Sequence, residues 1–168
     1  VYKRQDLHRN DPADGGYRRF LSRLSGPLME KLPASRKGLD FGCGPGPALA
    51  AMFTEHGHRM ALYDPFYFRD RSVLVERYDF ITATEVVEHL RHPGEVFENL
   101  FEMLRPKGWL GIMTKLVKNR DAFARWHYIR DPTHICFFSR HTFAFLAQRH
   151  QADLHFIGKD VVLMQPTG

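Results

Sequence analysis

The sequence predicts one α/β domain in three layers, with a mainly parallel sheet between two layers of helices. From Gly38 onwards, short apolar runs of strand length alternate with amphipathic stretches of helical length, a pattern typical of such sheets. The chain has 168 residues, enough for one buried core, and no repeat or linker divides it. Apolar runs on either side of Gly158 predict an antiparallel C-terminal hairpin. Residues 1–168 are therefore predicted to form a single domain.

The first predicted elements lead into a turn that is rich in glycine. Residues 1–14 are polar and predict a loose arm, whereas residues 16–32 carry apolar side chains at helical spacing and predict a helical cap. Gly26 and Pro27 are expected to break this helix. A buried strand over "KGLDF" leads directly into the turn "GCGPG", and the helix "PALAAMFTEHG" follows, closed by Gly57.

The remaining elements continue the alternation of strands and helices. "HRMALYD" predicts the second strand, a brief strand is expected around residues 72–75, and "YDFITATE" predicts a strand from Tyr78. A helix from Pro93 ends before Pro106, and the strand "GWLGIMT" follows a turn. "RDAFARWHYI" and "SRHTFAFLAQRH" predict helices, the second capped by Ser139. The sheet is expected to be of the seven-stranded type or one strand short of it.

Composition and charge exclude several classes of protein. Hydrophobic residues make up 43% and charged residues 26%, which is ordinary for a globular protein. No apolar run approaches the roughly 18 residues of a membrane span, the N-terminus does not resemble a signal peptide, and two cysteines are too few for a disulfide framework. We therefore expect a soluble, cytoplasmic protein. The chain begins at Val1 rather than Met, which is compatible with a further region upstream. The net charge of +5 is carried by scattered Lys and Arg residues, which favours a solvated surface over a nucleic-acid partner.

The glycine turn is the most informative motif. Gly42, Gly44 and Gly46 remove side chains where a ligand approaches the end of a strand. A dinucleotide site would need the spacing G-x-G-x-x-G, but the third glycine falls one residue early and Pro47 takes its place. Asp40, two residues before the turn, would repel a pyrophosphate and attract a cation.

A second acidic residue completes the predicted ligand site. Asp64 ends the next strand, about twenty residues beyond the glycines, where an acid accepts hydrogen bonds from ribose hydroxyls. A turn that attracts cations and an acid that binds ribose together fit S-adenosylmethionine, a nucleoside that carries an ammonium and a sulfonium instead of phosphates.

Four motifs within residues 38–114 resemble the class I S-adenosylmethionine-dependent methyltransferases: "LDFGCGPG", "LYDP", "YDFITATEVVEHL" and "LRPKGWLGIMT". The resemblance implies a Rossmann-like fold and S-adenosylhomocysteine as the product. It also implies that the backbone of the glycine turn, including Cys43, holds the methionine part, and that Asp64 and Pro65 lie at the ribose. The residues after the next strand would line the donor and acceptor sites (Thr84, Glu85 and Val86). "WHYIRDPTHICFFS" further resembles a bacterial subgroup related to the ubiquinone-biosynthesis O-methyltransferases, in which some members carry a zinc-binding ribbon upstream.

Two parts of the implied cofactor site have open alternatives. The family usually places the acid that reads the adenine amino group after the third strand, but the candidate here, Asp70, comes before the expected strand. Stacking on Phe66, Tyr67 or Phe68, or contact with backbone groups, is the alternative. Tyr17, in the predicted cap, is expected to close over the donor.

Two histidines are candidates for the base that activates a hydroxyl acceptor, because histidine titrates near neutral pH. His89 follows Glu85 by four residues and shares a face with it if the stretch is helical; a structural hydrogen bond is an equal alternative. His134 lies among aromatic residues that form either a pocket wall or ordinary core (Trp126, Tyr128, Phe137 and Phe138). His127, Asp131 and His134 have a spacing that could bind a metal, but no metal is predicted, since no motif or thiolate supports one.

The predicted function is methyl transfer from S-adenosylmethionine to a small-molecule acceptor, with an oxygen acceptor favoured. The alternatives are a non-catalytic module that binds S-adenosylmethionine and an RNA methyltransferase. A nicotinamide-dependent oxidoreductase is disfavoured by Asp40 and Pro47. The identity of the acceptor is not predicted, because acceptor pockets are built from loops that a shared fold does not determine, and neither is the oligomeric state.

Overall fold

The computed structural model describes residues 13–168, so that residues 1–12 of the predicted arm lie outside the described part of the chain. The α-helices are α1 (Gly15–Met29), α2 (Ala48–Glu55), α3 (Pro93–Glu102), α4 (Arg120–Ala124) and α5 (Arg140–Arg149). The strands are β1 (Lys37–Phe41), β2 (Arg59–Tyr63), β3 (Tyr78–Thr84), β4 (Leu104–Met113), β5 (Leu116–Val117), β6 (Phe138–Ser139), β7 (Ala152–Ile157) and β8 (Val161–Pro166). Short 3-10 helices cover Arg71–Val75, Val87–His89 and His127–Arg130.

The main sheet has the strand order β2-β1-β3-β4-β8-β7. β2, β1, β3 and β4 run parallel to one another, whereas β8 lies antiparallel to β4 and pairs with β7 as a hairpin. The central strand β3 is buried along most of its length, as expected for a parallel strand that is covered on both faces. The predicted mainly parallel sheet and its antiparallel hairpin are therefore confirmed; this main sheet has six strands, and β5 and β6 pair separately.

Two apolar clusters, one on each face of the sheet, form the core. One contains Leu24 of α1 together with residues of α2, and the other contains Phe97 of α3 and Phe143 of α5. The neighbouring β3 residues Phe80 and Ile81 belong to different clusters, because successive side chains of a strand point to opposite faces. The predicted three layers are therefore confirmed.

Helix α1 corrects one expectation from the sequence, since Gly26 and Pro27 do not break it. The helix continues through Pro27 because residues on both sides of it belong to one buried face, including Leu24 and Leu28. Both leucines lie against β4 at Gly111, where an added Cβ would come within 3.0 Å of Leu24. This packing offsets the hydrogen bond that proline removes from the helix.

The strand expected around residues 72–75 is wrong, because Arg71–Val75 forms a 3-10 helix. The Asp70 carboxylate accepts a hydrogen bond from Ser72 N at 2.9 Å and caps the start of that helix. Val75 is 85% exposed, so the segment lacks the apolar coverage that a strand beside β2 would need. β2 is therefore the edge of the sheet, which explains why the sheet is one strand short of seven.

The segment after β4 is less regular than predicted. The helix expected over "RDAFARWHYI" divides into α4, capped by Asn119, and the 3-10 helix His127–Arg130. Trp126 N donates to Phe123 O at 3.0 Å, a tighter turn than an α-helix makes, and this ends α4. The predicted cap at Ser139 is confirmed, since its Oγ accepts a hydrogen bond from the backbone N of Thr142 at 3.2 Å.

Candidate cofactor and acceptor site

The carboxyl ends of β1, β2 and β3 meet at one edge of the sheet and bring the predicted cofactor residues together. Gly42 N and Cys43 N donate hydrogen bonds to Tyr63 O at 2.7 and 3.2 Å. Gly44 N donates to Asp64 Oδ2 at 3.1 Å. The glycine turn is thus attached to the last residue of β2 and to the acid that follows it, at the edge where ligands bind to parallel sheets.

Gly42 occupies the most restricted position of the turn. Its φ is 74°, in the left-handed region that favours glycine. A Cβ added there would lie 2.4 Å from Val86 Cγ2, so Val86 packs directly on the turn. Gly44 also has a positive φ of 66°, and the carbonyl of Gly46 accepts a hydrogen bond from Ala48 N at 2.7 Å, where α2 begins.

Cys43 lies inside the turn with its side chain buried. Burial, together with the charges of Asp40 and Asp64, raises the pKa of its thiol. The thiol therefore stays protonated and acts as a small packing group. Its backbone, rather than its sulfur, is the part that shapes the turn.

Asp40 lies near the end of β1 and is only 3% exposed. Its Oδ1 accepts a hydrogen bond from Thr82 Oγ1 at 2.9 Å, and its carboxyl group also accepts one from the backbone N–H of Ala50 in the first turn of α2. Burial raises the pKa of Asp40 to about 7, although these hydrogen bonds act in the opposite direction. Asp40 thus joins β1, β3 and α2 beneath the glycine turn, and we expect it to act on a ligand mainly through its charge.

Asp64 follows β2 and is held by three backbone donors. Its Oδ1 accepts hydrogen bonds from Phe66 N at 2.8 Å and Tyr67 N at 3.2 Å, and its Oδ2 accepts the bond from Gly44 described above. A carboxylate has about four acceptor positions, so one remains for a ligand hydroxyl. Pro65 lies exposed at the tip of the turn that these bonds fix.

The adenine side of the predicted site is formed by the segment after Asp64. Phe66 and Phe68 are half-buried, and Tyr67 is exposed, so each presents part of its ring at this edge. Asp70 lies on the surface, where it caps the 3-10 helix. Asp70 therefore has a local role as a helix cap, and the aromatic side chains are the groups that follow Asp64 at this edge.

Helix α1 places Tyr17 close to the acids of this edge. Burial, together with the charges of Asp40 and Glu85, raises the pKa of Tyr17 to about 12. Asp14 caps the helix by accepting a hydrogen bond from Gly16 N at 2.7 Å. The first turn of α1 therefore lies beside the carboxyl ends of β1 and β3.

The end of β3 carries two features that point towards a ligand. Thr84 Oγ1 is buried and, within residues 13–168, has no hydrogen-bond partner, although buried polar atoms normally have one. The next residue, Glu85, has a φ of 52°, which is uncommon for a residue other than glycine. Such backbone geometry is often found where a binding site positions a side chain.

Glu85 belongs to a network of acids and hydroxyls around the buried Glu88. Thr114 Oγ1 donates to Glu88 Oε2 at 3.1 Å, and the Tyr128 hydroxyl donates to Glu88 Oε1 and, at 3.4 Å, to Glu85 Oε2. Burial and the charge of Glu88 raise the pKa of Glu85. Glu88 and Thr114 were not among the predicted site residues, and Tyr128 was considered only as part of a pocket wall or of the core; the E-x-x-E-H spacing of "EVVEHL" was the available signal for Glu88.

The two predicted catalytic histidines lie side by side, although far apart in the sequence. Their ring centroids are 4.9 Å apart. His89 Nδ1 lies 2.8 Å from Thr133 O, and His134 Nδ1 lies 2.8 Å from Tyr128 O. The condition for Glu85 and His89 to share a helical face is not met, because Glu85 precedes the 3-10 helix that contains His89. Tertiary folding, not helical spacing, therefore forms this pair.

The metal-compatible spacing of His127, Asp131 and His134 does not become a cluster. His127 Nε2 lies 3.4 Å from Lys115 Nζ, and Asp131 Oδ1 accepts hydrogen bonds from the backbone and hydroxyl of Thr133. Instead, His134 joins Glu88 and His89, with one potential ligand atom from each residue within 4.8 Å of the others.

The aromatic residues near His134 divide between core and surface. Tyr128 and Phe138 are buried, as the core alternative predicted. Phe123, Trp126 and Phe137 are half-exposed and pack together, with 5.1 Å between the rings of Phe123 and Phe137. We call these three residues the aromatic wall; Trp126 connects it to Tyr128, with 4.8 Å between ring centroids.

Comparison with models of known protein families identifies the family of this chain. A family model described as a methyltransferase domain matches residues 8–155. The chain belongs to this methyltransferase family. It is a class I enzyme that depends on S-adenosylmethionine, as the motifs predicted. No curated protein sequence matches it.

Solved structures of methyltransferases share the fold at low sequence identity. The 1,6-didemethyltoxoflavin-N1-methyltransferase of Burkholderia thailandensis, with 1,6-didemethyltoxoflavin and S-adenosylhomocysteine bound, is 17% identical, with a TM-score of 0.65 over 88% of this chain and 78% of that one. The magnesium protoporphyrin IX methyltransferase of Synechocystis, with S-adenosylhomocysteine bound, is 9% identical, with a TM-score of 0.60 over 90% and 84%. An O-methyltransferase family protein of Burkholderia thailandensis is 16% identical, with a TM-score of 0.62 over 87% and 56%.

The residues of this methyltransferase fit the cofactor that its family uses. The Asp64 carboxylate has a free acceptor position, and Thr84 Oγ1 is buried without a partner among the described residues. Among the same residues, no helix is long and apolar enough to cross a membrane.

Proposed function

We propose that this methyltransferase transfers the methyl group to an oxygen atom of a small molecule. The pair His89 and His134 carries the proposal. Each ring places Nδ1 against a backbone carbonyl, and a carbonyl can only accept a hydrogen bond, so Nδ1 carries the proton and Nε2 has a free lone pair. A hydroxyl acceptor needs such a group, because its deprotonated form is the better nucleophile.

In this proposal the donor site is the edge formed by the glycine turn and the ends of β2 and β3. Bound S-adenosylmethionine supplies a methyl group that its sulfonium already activates. The protein therefore has to align the donor and the acceptor and exclude water. The residues assigned to cofactor binding are those predicted from the sequence (Tyr17, Asp40, Gly42, Cys43, Gly44, Gly46, Asp64, Pro65, Glu85 and Val86).

The acceptor side is proposed to lie between the histidine pair and the aromatic wall. The rings of Tyr128 and His134 are 4.0 Å apart, and Tyr128 also contacts Trp126 of the wall. Half-exposed aromatic side chains offer a flat apolar surface, which suits a planar acceptor such as a phenol or a quinol. The planar ring would pack on the wall while its hydroxyl faces the histidines.

Methyl transfer to a panel of phenols, quinols, carboxylates and amines tests this proposal. We expect transfer to a hydroxyl acceptor, and a kcat about 100-fold lower in His134→Ala, the usual scale for loss of a general base. His141→Ala is the matched control, because His141 is exposed on α5. Binding of S-adenosylhomocysteine, measured by calorimetry, is expected to be the same in all three proteins.

Other outcomes identify the alternatives. Transfer to amines alone would contradict the oxygen acceptor, and binding of S-adenosylhomocysteine without transfer to any acceptor would favour a non-catalytic module. Salt-sensitive binding and methylation of RNA would favour an RNA methyltransferase. The relationship to the ubiquinone-biosynthesis subgroup and the cytoplasmic location stay predictions.

A further inference from the structure

We propose that Glu88, His89 and His134 bind a divalent metal cation at the acceptor side of the site. The inference rests on the proposed function, because it assigns the cation to activation of the acceptor oxygen. Its first support is distance, since one potential ligand atom from each of the three residues lies within 4.8 Å of the others. Two atoms that each lie about 2 Å from one ion are at most about 4 Å apart, so a small movement of these side chains would bring their ligand atoms onto a single ion.

The orientation of the two imidazole rings is the second support. Each Nδ1–H donates to a backbone carbonyl, His89 to Thr133 O and His134 to Tyr128 O, both at 2.8 Å. Metal-binding histidines are usually held in this way by the nitrogen that does not bind the metal. Both rings are thereby fixed in the tautomer whose Nε2 lone pair is available as a ligand.

The burial of Glu88 is the third support. The side chain is fully buried, and within residues 13–168 no Lys or Arg nitrogen forms a salt bridge with it. Its oxygens accept hydrogen bonds from Thr114 and Tyr128, which leaves each oxygen one lone pair. A buried carboxylate normally needs a cation, and a bound metal ion would supply that charge.

The backbone holds the two halves of the cluster together without a ligand. Ile135 N and Cys136 N donate to Glu88 O at 2.8 and 3.0 Å. These bonds attach the segment that follows His134 to the 3-10 helix that contains Glu88 and His89. The three side chains are therefore close together before an ion binds, which lowers the cost of binding.

The ligand types indicate which cation fits. Two imidazole nitrogens and one carboxylate oxygen suit Mn²⁺, Fe²⁺, Co²⁺ or Zn²⁺ rather than Ca²⁺, which prefers oxygen ligands alone. Three protein ligands leave positions open for an acceptor. An acceptor hydroxyl bound there would lose its proton to solvent more easily, and its oxygen would form the new bond to the methyl carbon as the carbon–sulfur bond breaks. The Nε2 lone pairs that the proposed function assigns to activation of the acceptor would then act through the bound cation rather than as a direct base.

Titration of the tag-free full chain with Mn²⁺, after treatment with a chelator, tests the site. Calorimetry and the electron paramagnetic resonance signal of free Mn²⁺ are expected to show one ion per wild-type chain. We expect at least a 10-fold weaker affinity in His89→Ala and in His134→Ala, and wild-type affinity in the control His141→Ala. Glu88→Gln, which keeps the size of the buried side chain, is expected to weaken Mn²⁺ binding as well.

Folding and function are checked in the same samples. Mn²⁺ is expected to raise the Tm of the wild type and of His141→Ala but not of His89→Ala, and S-adenosylhomocysteine should bind to all of them. Equal Mn²⁺ affinity in every variant, or no binding to the wild type, would overturn the metal site, while methyl transfer could still stand. Full methylation activity in excess chelator would overturn the role of the cation in activating the acceptor.

Discussion

Asp40 is held by the fold in conditions that disfavour its charge. The residue accepts hydrogen bonds from Thr82 and from the N-terminal turn of α2, yet its burial raises its pKa from 3.8 to about 7. A buried carboxylate of this kind reduces stability when it is ionised. The same charge, lying beneath the glycine turn, is what would attract a cationic ligand. The ionised form of Asp40 would therefore favour binding of a cationic ligand but lowers the stability of the fold.

The first prediction concerns the pH dependence that Asp40 gives to stability. Between pH 3.8 and about 7 the folded chain retains a proton that the unfolded chain has lost. The free energy of unfolding contributed by Asp40 therefore falls as the pH rises through this window and is constant above it. The total loss is on the order of 1 to 4 kcal/mol. Urea unfolding should show that Asp40→Asn gains stability relative to the wild type from pH 5 to pH 8; the same difference at both pH values would contradict the prediction.

The second prediction concerns Gly42. In Gly42→Ala, the positive φ and the 2.4 Å approach of the new Cβ to Val86 are expected to cost about 1 to 3 kcal/mol of stability and to weaken binding of S-adenosylhomocysteine. Gly94→Ala in α3 is the control, because an added Cβ there has nothing within 4 Å. The double variant Gly42→Ala, Val86→Ala should recover part of the loss, and a failure to recover any would leave φ as the cause.

At the scale of elements, α1 connects the candidate site to the core of the domain. Its buried leucines pack on the sheet, while ion pairs link Arg18 to Glu55 of α2 and Arg23 to Asp160. Exposed ion pairs of this kind contribute little to stability, so the apolar face is what holds the helix in place. The first turn of the helix, which carries Tyr17, is thereby positioned beside Asp40 and Glu85.

The third prediction tests whether α1 acts as a cap. In Tyr17→Ala we expect S-adenosylhomocysteine to bind several-fold more weakly, because the side chain that covers the donor is removed. Ser22→Ala, on the exposed face of the same helix, should bind as the wild type does. Calorimetry measures both, and unchanged affinity in Tyr17→Ala would mean that α1 stabilises the fold without closing over the donor.

At the scale of the whole molecule, the sheet ends at β2 instead of continuing to a further strand. A cavity of about 570 Å³ lies next to this edge and is lined by residues of the 3-10 helix and α3, including Leu74, Val96 and Leu100. It contains none of the predicted cofactor residues. With the strand absent, we expect the ribose side of the cofactor to depend on Asp64 and the turn that it holds.

The fourth prediction follows from this shortened sheet. Asp64→Asn is expected to bind S-adenosylhomocysteine about 10- to 100-fold more weakly, the scale of a lost hydrogen bond to a charged group. Asp70→Asn should bind normally, because Asp70 caps a surface helix. A comparable loss in Asp70→Asn would show that this acid reads the adenine after all.

Local sequence patterns predicted most of the fold and the grouping of the proposed donor residues at one edge of the sheet. The strands, the glycine turn and Asp64 follow one another at short spacing, and the carboxyl ends of parallel strands must meet at one edge. Two local predictions were wrong because packing between elements decides the structure there. Pro27 lies inside α1 because this helix packs on β4, and residues 72–75 have too little apolar coverage to form a strand.

The sequence by itself determined the family, the parallel sheet and the position of the donor acids, because these depend on periodicity and on motifs of a few residues. Only the tertiary structure brought together the proposed acceptor side. His89 and His134 are 45 residues apart in the sequence, and the two rings meet because Ile135 and Cys136 bind the backbone of Glu88. Contacts of this kind depend on how a loop folds back over the sheet, which no local spacing encodes.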